Sequence, residues 1–303
     1  MSCDAILTTS NYGFNLAATI LLGLSGIIAT LGNTFSLMVL WQPSQRSKSN
    51  KILTSLVISD CLVGLLSNPM AIVMMWTGLE ITPSICRLNT IALFFVVWFS
   101  STSGFTILFI TYDRYTNITK PFKYHDIITN LKINLILVTI WIGNSVTALL
   151  IAFNKRFSLY FLNIGFVIAS AILIVGYYQI WKAVKQRQTN ILSRSRNDQE
   201  HLRTHIRLSK KILLLMIAYF GAALPVVVYT IVVLFFDYLT RPYQPYLYVV
   251  GISFFLFNSC VDPCIYIWKD LEFKRAYKRF LRRNTIFAWL FNGDTVNPIA
   301  VIS

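Results

Sequence analysis

A few charged side chains stand where the rest of the sequence is apolar, and their types limit the chemistry available to the chain. Asp60 and Asp262 are each the one charged residue in a long apolar stretch, and Asp113-Arg114 directly follows another such stretch. Charged groups in apolar surroundings are costly, so these residues are functional candidates by default. Two buried carboxylates repel each other unless a shared proton or a hard cation with oxygen ligands neutralises them. The sequence therefore predicts ion binding or a charge-coupled contact at these positions.

The stretches that carry these residues are long enough to cross a bilayer. Five contain no Asp, Glu, Lys or Arg and two contain a single acid; together they cover residues 5–45, 52–79, 88–112, 133–154, 157–181, 212–236 and 242–268. A membrane-spanning helix needs about 20 such residues. Because lipid offers no hydrogen-bond partner to the backbone, helices are favoured over strands with open edges. The sequence predicts an all-α membrane protein, a bundle of seven transmembrane helices.

Composition and charge placement agree with a membrane domain. Of the 303 residues, 55% are hydrophobic and 13% are charged, and the mean hydropathy of +0.60 is unlike that of a soluble domain. With the N terminus outside, 23 of the 27 Lys and Arg residues fall on the inner side and 4 on the outer side. The positive-inside rule then predicts a multi-pass plasma-membrane protein with an extracellular N terminus and a cytoplasmic C terminus. The net charge of +15 is accounted for by this placement, and no nucleic-acid partner is expected.

This orientation divides the chain into four segments. We predict an extracellular tail at 1–15, the seven-helix domain at 16–268, an amphipathic cytoplasmic helix at 269–283 and a cytoplasmic tail at 284–303. In the third segment, apolar residues such as Leu271 recur at helical spacing against basic residues, a pattern typical of a helix on the anionic inner leaflet. A solvated basic tail is the alternative.

Short motifs stand at matching depths in the spans. They are Gly32-Asn33 in the first, Leu56-Val57-Ile58-Ser59-Asp60 in the second, Asp113-Arg114-Tyr115 at the end of the third, Trp141 in the fourth, Phe220 and Pro225 in the sixth, and Asp262-Pro263 with Tyr266 in the seventh. In this order they resemble the rhodopsin-like (class A) family of G-protein-coupled receptors. The Asp-Pro form of the last motif, the short second outer loop and the absence of proline from the fifth span are similar to the branch that contains the melanocortin, adenosine and cannabinoid receptors.

The resemblance implies a receptor that binds an extracellular or membrane-derived ligand and activates a heterotrimeric G protein. Activation residues carried over from the family are Asp113, Arg114, Tyr115, Tyr178, Pro225, Asp262, Pro263 and Tyr266. In the family, Arg114 matches the residue that contacts the G protein, Tyr178 and Tyr266 match tyrosines that turn inward, and Pro225 kinks the sixth helix.

The resemblance also implies a sodium ion in the bundle centre. The matching ligands are Asp60, Ser103, Asn258, Ser259 and Asp262. A structural hydrogen-bond network around Asn33 and Asp60 is the alternative. No other cofactor is expected, and this ion would act as an allosteric ligand.

The presumptive ligand pocket is mostly apolar. Its predicted lining is Val96, Val97, Ser100, Val226, Val227, Thr230, Ile252 and Leu256. This composition favours a lipid or a neutral small molecule, with a peptide as a second candidate because tyrosines stand near the mouth. Val96 replaces the aspartate of amine receptors and Leu256 replaces the lysine of light receptors, so both subclasses are disfavoured.

Several positions depart from the family pattern. The usual disulfide of the family lacks its loop cysteine here, and Cys3 and Cys86 are either a substitute pair or two free thiols. The tryptophan expected before Pro225 is Ala223, and the nearby phenylalanine is Tyr219. No acid stands at the foot of helix six in residues 205–211, which predicts elevated signalling without ligand.

Other function classes fit the sequence less well. A transporter, channel or lipid scramblase is the main alternative, but internal repeats and paired broken helices are lacking. An enzyme is not predicted, because the sequence offers no metal-ligand spacing and no pair of nucleophile and base.

Overall fold

The computed structural model describes most of the chain outside its termini and the longest loop. The described residues are 11–43, 47–77, 82–153, 155–191, 213–233, 235, 243–269, 274, 275 and 279, and for 155–163, 187–191 and 266–269 the description is limited to the backbone. The predicted helix at 269–283, both tails and residues 205–211 therefore lie wholly or mostly outside the described part.

Seven helices long and apolar enough to cross a membrane follow one another along the chain. They are α1 (Tyr12–Leu40), α2 (Lys48–Thr77), α3 (Pro83–Thr119), α4 (Asn130–Phe153), α5 (Lys155–Ile191), α6 (Leu213–Val233) and α7 (Gln244–Lys269). The predicted all-α bundle of seven helices is confirmed, and the described ranges contain no β-strand.

The sequence marks where several helices begin. Asn11, Ser47 and Thr82 each accept a hydrogen bond from the backbone N–H three residues later, which caps the starts of α1, α2 and α3. Pro83 occupies the first turn of α3, where the missing N–H has no cost. Between α3 and α4 the chain forms a 3-10 turn, Pro121–Lys123, followed by one α-helical turn, Tyr124–Ile127. We call Pro121–Ile127 the loop helix.

Helix α3 lies at the centre of the bundle, in contact with α2, α4 and α5, while α1 packs against α2 and α7. Small residues allow two of the closest contacts. A Cβ on Gly64 would lie 2.7 Å from the backbone oxygen of Gly26, and one on Gly32 would lie 3.0 Å from the ring of Pro263. The π-helical turn Val63–Ser67 interrupts α2.

The core consists of two main clusters of buried apolar side chains. One lies at the end of the bundle that holds Asp113 and includes Ile52, Leu56, Ile107 and Leu215. The other lies further along the bundle and includes Leu22, Val96, Phe99 and Leu256. Many large apolar side chains on the outside of the helices are exposed, as expected for a bundle whose solvent is lipid.

Candidate functional site

Asp113 is a buried carboxylate with partners from three directions. Its Oδ2 accepts a hydrogen bond from the Ser49 hydroxyl of α2 at 2.8 Å. Its Oδ1 accepts one from the Tyr124 phenol of the loop helix at 2.7 Å. The guanidinium of Arg114 is further away, with Nε 3.7 Å from Oδ2. Asp113 is thus held firmly by neutral donors, whereas Arg114 is held loosely by Asp113.

The loop helix stands beside this carboxylate and presents one large apolar side chain outward. Phe122 is 98% exposed, whereas Tyr124, two residues later, is buried. Burial and the neighbouring Asp113 raise the pKa of Tyr124 from 10.0 to about 12. The phenol therefore stays protonated at neutral pH and remains a hydrogen-bond donor to Asp113.

Polar side chains from α1, α2 and α7 meet in the middle of the bundle. The Asn33 amide donates to the backbone oxygens of Ala29 and Ser259, both at 2.9 Å. The Ser259 hydroxyl donates to Asp60 Oδ1 at 2.8 Å. Asp60 and Asp262 are both fully buried, and the two carboxyl groups lie close enough to interact directly. Asn33 therefore forms the structural network that was the alternative to an ion site.

Several oxygens on α1, α2, α3 and α7 lack a hydrogen-bond partner among the described residues. They are Asn33 Oδ1, Asp60 Oδ2, Ser103 Oγ, Asn258 Oδ1 and both carboxylate oxygens of Asp262. Buried polar atoms are normally paired, so these oxygens are able to accept a hydrogen bond or to bind a cation. Carboxylate, hydroxyl and amide oxygens are the ligands that a hard cation requires. The donor set therefore fits a sodium ion as well as a structural network.

The predicted pocket residues are brought together only in part. Val96, Ile252 and Leu256 pack in one apolar cluster with Phe99. Val97 packs instead against Ala148 and Ile151 of α4. Successive helical residues are rotated by about 100°, so two adjacent valines of α3 do not face the same cavity.

The two polar residues of the predicted pocket and its two α6 valines lie in different surroundings. Ser100 is buried, and its hydroxyl has no hydrogen-bond partner among the residues that the structure describes, while Thr230 donates to the Val226 backbone oxygen at 2.8 Å. Val226 lies at the closest approach of α6 to Gly251 of α7, and Val227 is half-buried. Ser100 is therefore the polar group left available to a ligand in this set.

Comparison with known proteins decides the family. Residues 32–158 and 152–266 match the family model described as 7 transmembrane receptor (rhodopsin family). The chain belongs to this receptor family. It is accordingly a multi-pass membrane protein of a receptor family, and that family is not one of enzymes.

Individual relatives of the receptor are distant but cover most of its length. It is 21% identical to adenosine receptor A2b of Gallus gallus, over 89% of this chain and 90% of that receptor. It is 24% identical to adenosine receptor A3 of Ovis aries, over 86% and 87%. It is 23% identical to octopamine receptor beta-1R of Drosophila melanogaster, over 89% of this chain and 62% of that receptor. The predicted likeness to a branch that includes adenosine receptors is confirmed.

Tyr178 and its neighbour Tyr177 lie on different faces of α5. Tyr178 lies on the outer surface of α5, 57% exposed, with its ring tilted against that of Trp181. The preceding residue, Tyr177, packs against the core cluster next to Asp113. Tyr177, and not Tyr178, therefore faces the core in this structure, and the prediction that Tyr178 turns inward on activation stays a prediction.

The remaining activation residues lie on α3, α6 and α7. Tyr115 packs with Ile118 and Ile180 between α3 and α5. Pro225 is half-buried within α6, and Pro263 is buried within α7 against Gly32. Tyr266 lies in α7, but its side chain is outside the described part.

Near Ala223, which stands where the family has a tryptophan, Tyr219 of α6 is in tight contact with Gly104 of α3. Ala223 is buried, and Tyr219 lies with its ring within 6.5 Å, centroid to centroid, of Phe166, Phe220 and Phe255. A Cβ added to Gly104 of α3 would overlap the Tyr219 phenol. The large ring on α6 thus fills the space that the glycine leaves on α3.

Of the four cysteines that the structure describes, one is in a disulfide bond and three are free thiols. Cys86 is disulfide-bonded, whereas Cys61, Cys260 and Cys264 are free thiols. The alternative of a free thiol at Cys86 is therefore wrong. Cys3, its predicted partner, lies outside the described residues, so the pairing stays a prediction.

Sequence reasoning missed Ser49, Tyr124 and Phe122. Ser49 follows the capping residue of α2, and Tyr124 lies 11 positions after Asp113. A polar residue in the first turn of α2 and an aromatic pair after Pro121 were the available signals. Neither signal alone indicates contact with Asp113, because the contact depends on how the loop folds back.

Proposed function

We propose that the receptor binds an extracellular or membrane-derived ligand and activates a heterotrimeric G protein at the end of the bundle that holds Arg114. The observation that carries this proposal is the Asp113–Arg114 pair. Asp113 is fixed by two neutral donors, and the guanidinium stays only loosely paired at 3.7 Å. A loosely held arginine at the end of a central helix is free to meet a partner.

The charge distribution supports an orientation with this end in the cytosol. The loops at the Arg114 end carry most of the basic residues, as expected for cytoplasmic loops. The carboxyl-terminal helix of a G protein, being acidic and polar, would be attracted to this basic surface. Phe122, fully exposed next to it, offers an apolar anchor of the kind that dominates binding energy at interfaces.

For the ligand, a neutral small molecule or a lipid is favoured, with a peptide as the second candidate. Val96, Ile252 and Leu256 form an apolar wall, and Ser100 supplies an unpaired hydroxyl. Two relatives are named for adenosine and one for octopamine. An amine such as octopamine would need a carboxylate where Val96 stands, so we place a neutral ligand of the adenosine type ahead of an amine.

A sodium ion is proposed as an allosteric ligand. Asp60, Asp262, Ser103, Asn258 and Ser259 would hold it, and its charge would offset the repulsion between the two carboxylates. When bound, the ion supplies positive charge that stabilises one arrangement of α2, α3 and α7. Ser259 already orients Asp60 through its hydroxyl.

We further propose signalling in the absence of ligand. Within the described part of the chain, the one acid paired with Arg114 is Asp113, at a distance beyond hydrogen bonding. At 3.7 Å the pair lacks the direct charge-assisted hydrogen bond that makes an ion pair strong. The restraint on the inactive arrangement is therefore weak.

Nucleotide exchange on a panel of purified G proteins tests the proposal directly. The receptor, in lipid nanodiscs without ligand, should accelerate exchange on at least one G protein, and Arg114→Ala should abolish that acceleration. Lys51→Ala, which removes an exposed charge at the same end of the bundle, should leave it intact.

Two further arms separate the competing explanations. Equal ligand-free signals from the native chain and Arg114→Ala would remove basal activity from the account, and activation would then be sought with adenosine, octopamine and lipids. Ion or lipid flux that persists in Arg114→Ala, without nucleotide exchange under any ligand, would favour a transporter or scramblase.

A further inference from the structure

The first turn of α2 contacts both the loop helix and the end of α3. Ser49 donates to Asp113. The preceding residue, Lys48, directs its ammonium to the loop, where Nζ donates to the Ile128 backbone oxygen at 2.6 Å and to the His125 backbone oxygen at 3.3 Å. Two successive side chains on one helical turn thus reach two different elements.

The carbonyls bound by Lys48 lie where the loop helix ends. Ile128 is its C-terminal cap, and the last carbonyls of a helix have no partner within the helix. A cation is favoured there, both as a hydrogen-bond donor and through the helix dipole. The same ammonium lies 3.3 Å from His125 Nδ1 and 5.9 Å from the centre of the Tyr124 ring.

A helical turn this short does not hold its own shape. Tyr124–Ile127 has four residues, and its end is closed by the bond from Ile128 N to Tyr124 O at 2.8 Å. Isolated helices of this length are unstable in water, so contacts from outside decide the position of Tyr124. Lys132 of α4 also donates to the loop, at 3.2 Å to Ile127 and 3.5 Å to Asp126. The bond from Lys48 is much the shortest of these.

We propose that Lys48 is the positioning residue of the Asp113 site: its ammonium fixes the loop helix so that Tyr124 donates to Asp113. Lys48 acts through Tyr124 rather than by touching Asp113 or a partner protein. The link to signalling depends on the proposed function, whereas the positioning of the loop does not.

Hydrogen–deuterium exchange of the receptor in nanodiscs tests the positioning without any G protein. In Lys48→Met the amides of residues 122–128 should exchange about tenfold faster, because a hydrogen bond from a charged donor is lost. Lys51→Met, which removes a lysine from the same helix, should leave these amides unchanged. Lys48→Arg should restore protection, because its guanidinium also donates to carbonyls.

A nucleotide-exchange assay then tests whether the position of the loop helix affects signalling. Lys48→Met should change the rate, and adding it to Tyr124→Phe should change nothing further, because Lys48 acts through the Tyr124 hydroxyl. If Lys48→Met does not yield folded receptor, Lys48→Gln, whose shorter side chain does not reach Ile128, takes its place with the same expected results.

The outcomes are distinguishable. Unchanged protection at 122–128 in Lys48→Met and Lys48→Gln, or an equal loss in the Lys51 variant, would overturn the positioning role. Faster exchange of the loop with unaltered nucleotide exchange would overturn its link to signalling. If the native receptor activates no G protein under any ligand, the proposed function fails and the loop measurement still decides the role of Lys48.

Discussion

The contact between Gly104 and Tyr219 gives a sharp prediction for a single added methyl group. In Gly104→Ala the new Cβ would lie 2.6 Å from Tyr219 Cζ and 2.9 Å from Cε2, where ordinary contacts are 3.4–4 Å. The ring cannot swing away freely, because Phe166, Phe220 and Phe255 surround it. Overpacking of this kind costs about 1–3 kcal/mol. The gain from replacing a helical glycine is only about 0.5–1 kcal/mol, so a net destabilisation of about 1–2 kcal/mol is expected.

Thermal unfolding of the purified receptor measures this effect. Gly221→Ala is the matched control, since nothing lies within 4 Å of a Cβ at that position of α6, and it should be neutral or slightly stabilising. Shortening the ring should relieve the overlap, so Gly104→Ala with Tyr219→Leu should be more stable than the sum of the single changes by about 1 kcal/mol. If Gly104→Ala unfolds at the same temperature as the Gly221 control, the proposed size match between α3 and α6 is wrong.

Three further predictions concern the ion site, the loop tyrosine and the disulfide. Sodium, but not the larger potassium, should raise the unfolding temperature of the native receptor. Asp262→Asn should lose this response, because one carboxylate ligand is gone. A sodium response that persists in Asp262→Asn would exclude the site. The pKa of Tyr124 in the folded receptor is raised from 10.0 to about 12. The hydrogen bond of Tyr124 should therefore stabilise the fold fully below pH 10 and lose this effect as the pH rises towards 12. If the unfolding temperature falls equally in Tyr124→Phe and in the native receptor over this range, the prediction is wrong. Cys3→Ser should free Cys86 and raise the count of thiols labelled in the unfolded, unreduced chain by one, whereas Cys61→Ser should lower it by one; loss of a thiol in both variants would show that Cys3 is not the partner.

The helices and the central acids were predictable because each depends on a local property of the sequence. A run without charges has few alternatives to a membrane-spanning helix, and this decided all seven spans. Asp60 and Asp262 stand alone in such runs, so their mutual approach followed from the resemblance to a known bundle. Ser259, named on the same grounds, indeed donates to Asp60.

The details that could not be predicted depend on rotation about a helix or on the path of a loop. Tyr177 and Tyr178 are equally good candidates in the sequence, and the packing of α5 decides which of them faces inward in this structure. The packing of Val97 against α4 likewise depends on the rotation of α3. The partners of Asp113 come from the start of α2 and from the loop helix, and no local pattern indicates that these segments meet. Gly104 and Tyr219 are complementary only in three dimensions.

The central claim is that the Arg114 end of the bundle faces the cytosol, where a G protein can reach it. Phe122→Cys and Tyr243→Cys place a thiol at exposed aromatic positions at opposite ends of the bundle. Labelling of intact cells with a membrane-impermeant maleimide, measured against the native chain, reports which end is outside. The account predicts labelling of Tyr243→Cys in intact cells and of Phe122→Cys only after permeabilisation. Labelling of Phe122→Cys in intact cells would contradict it.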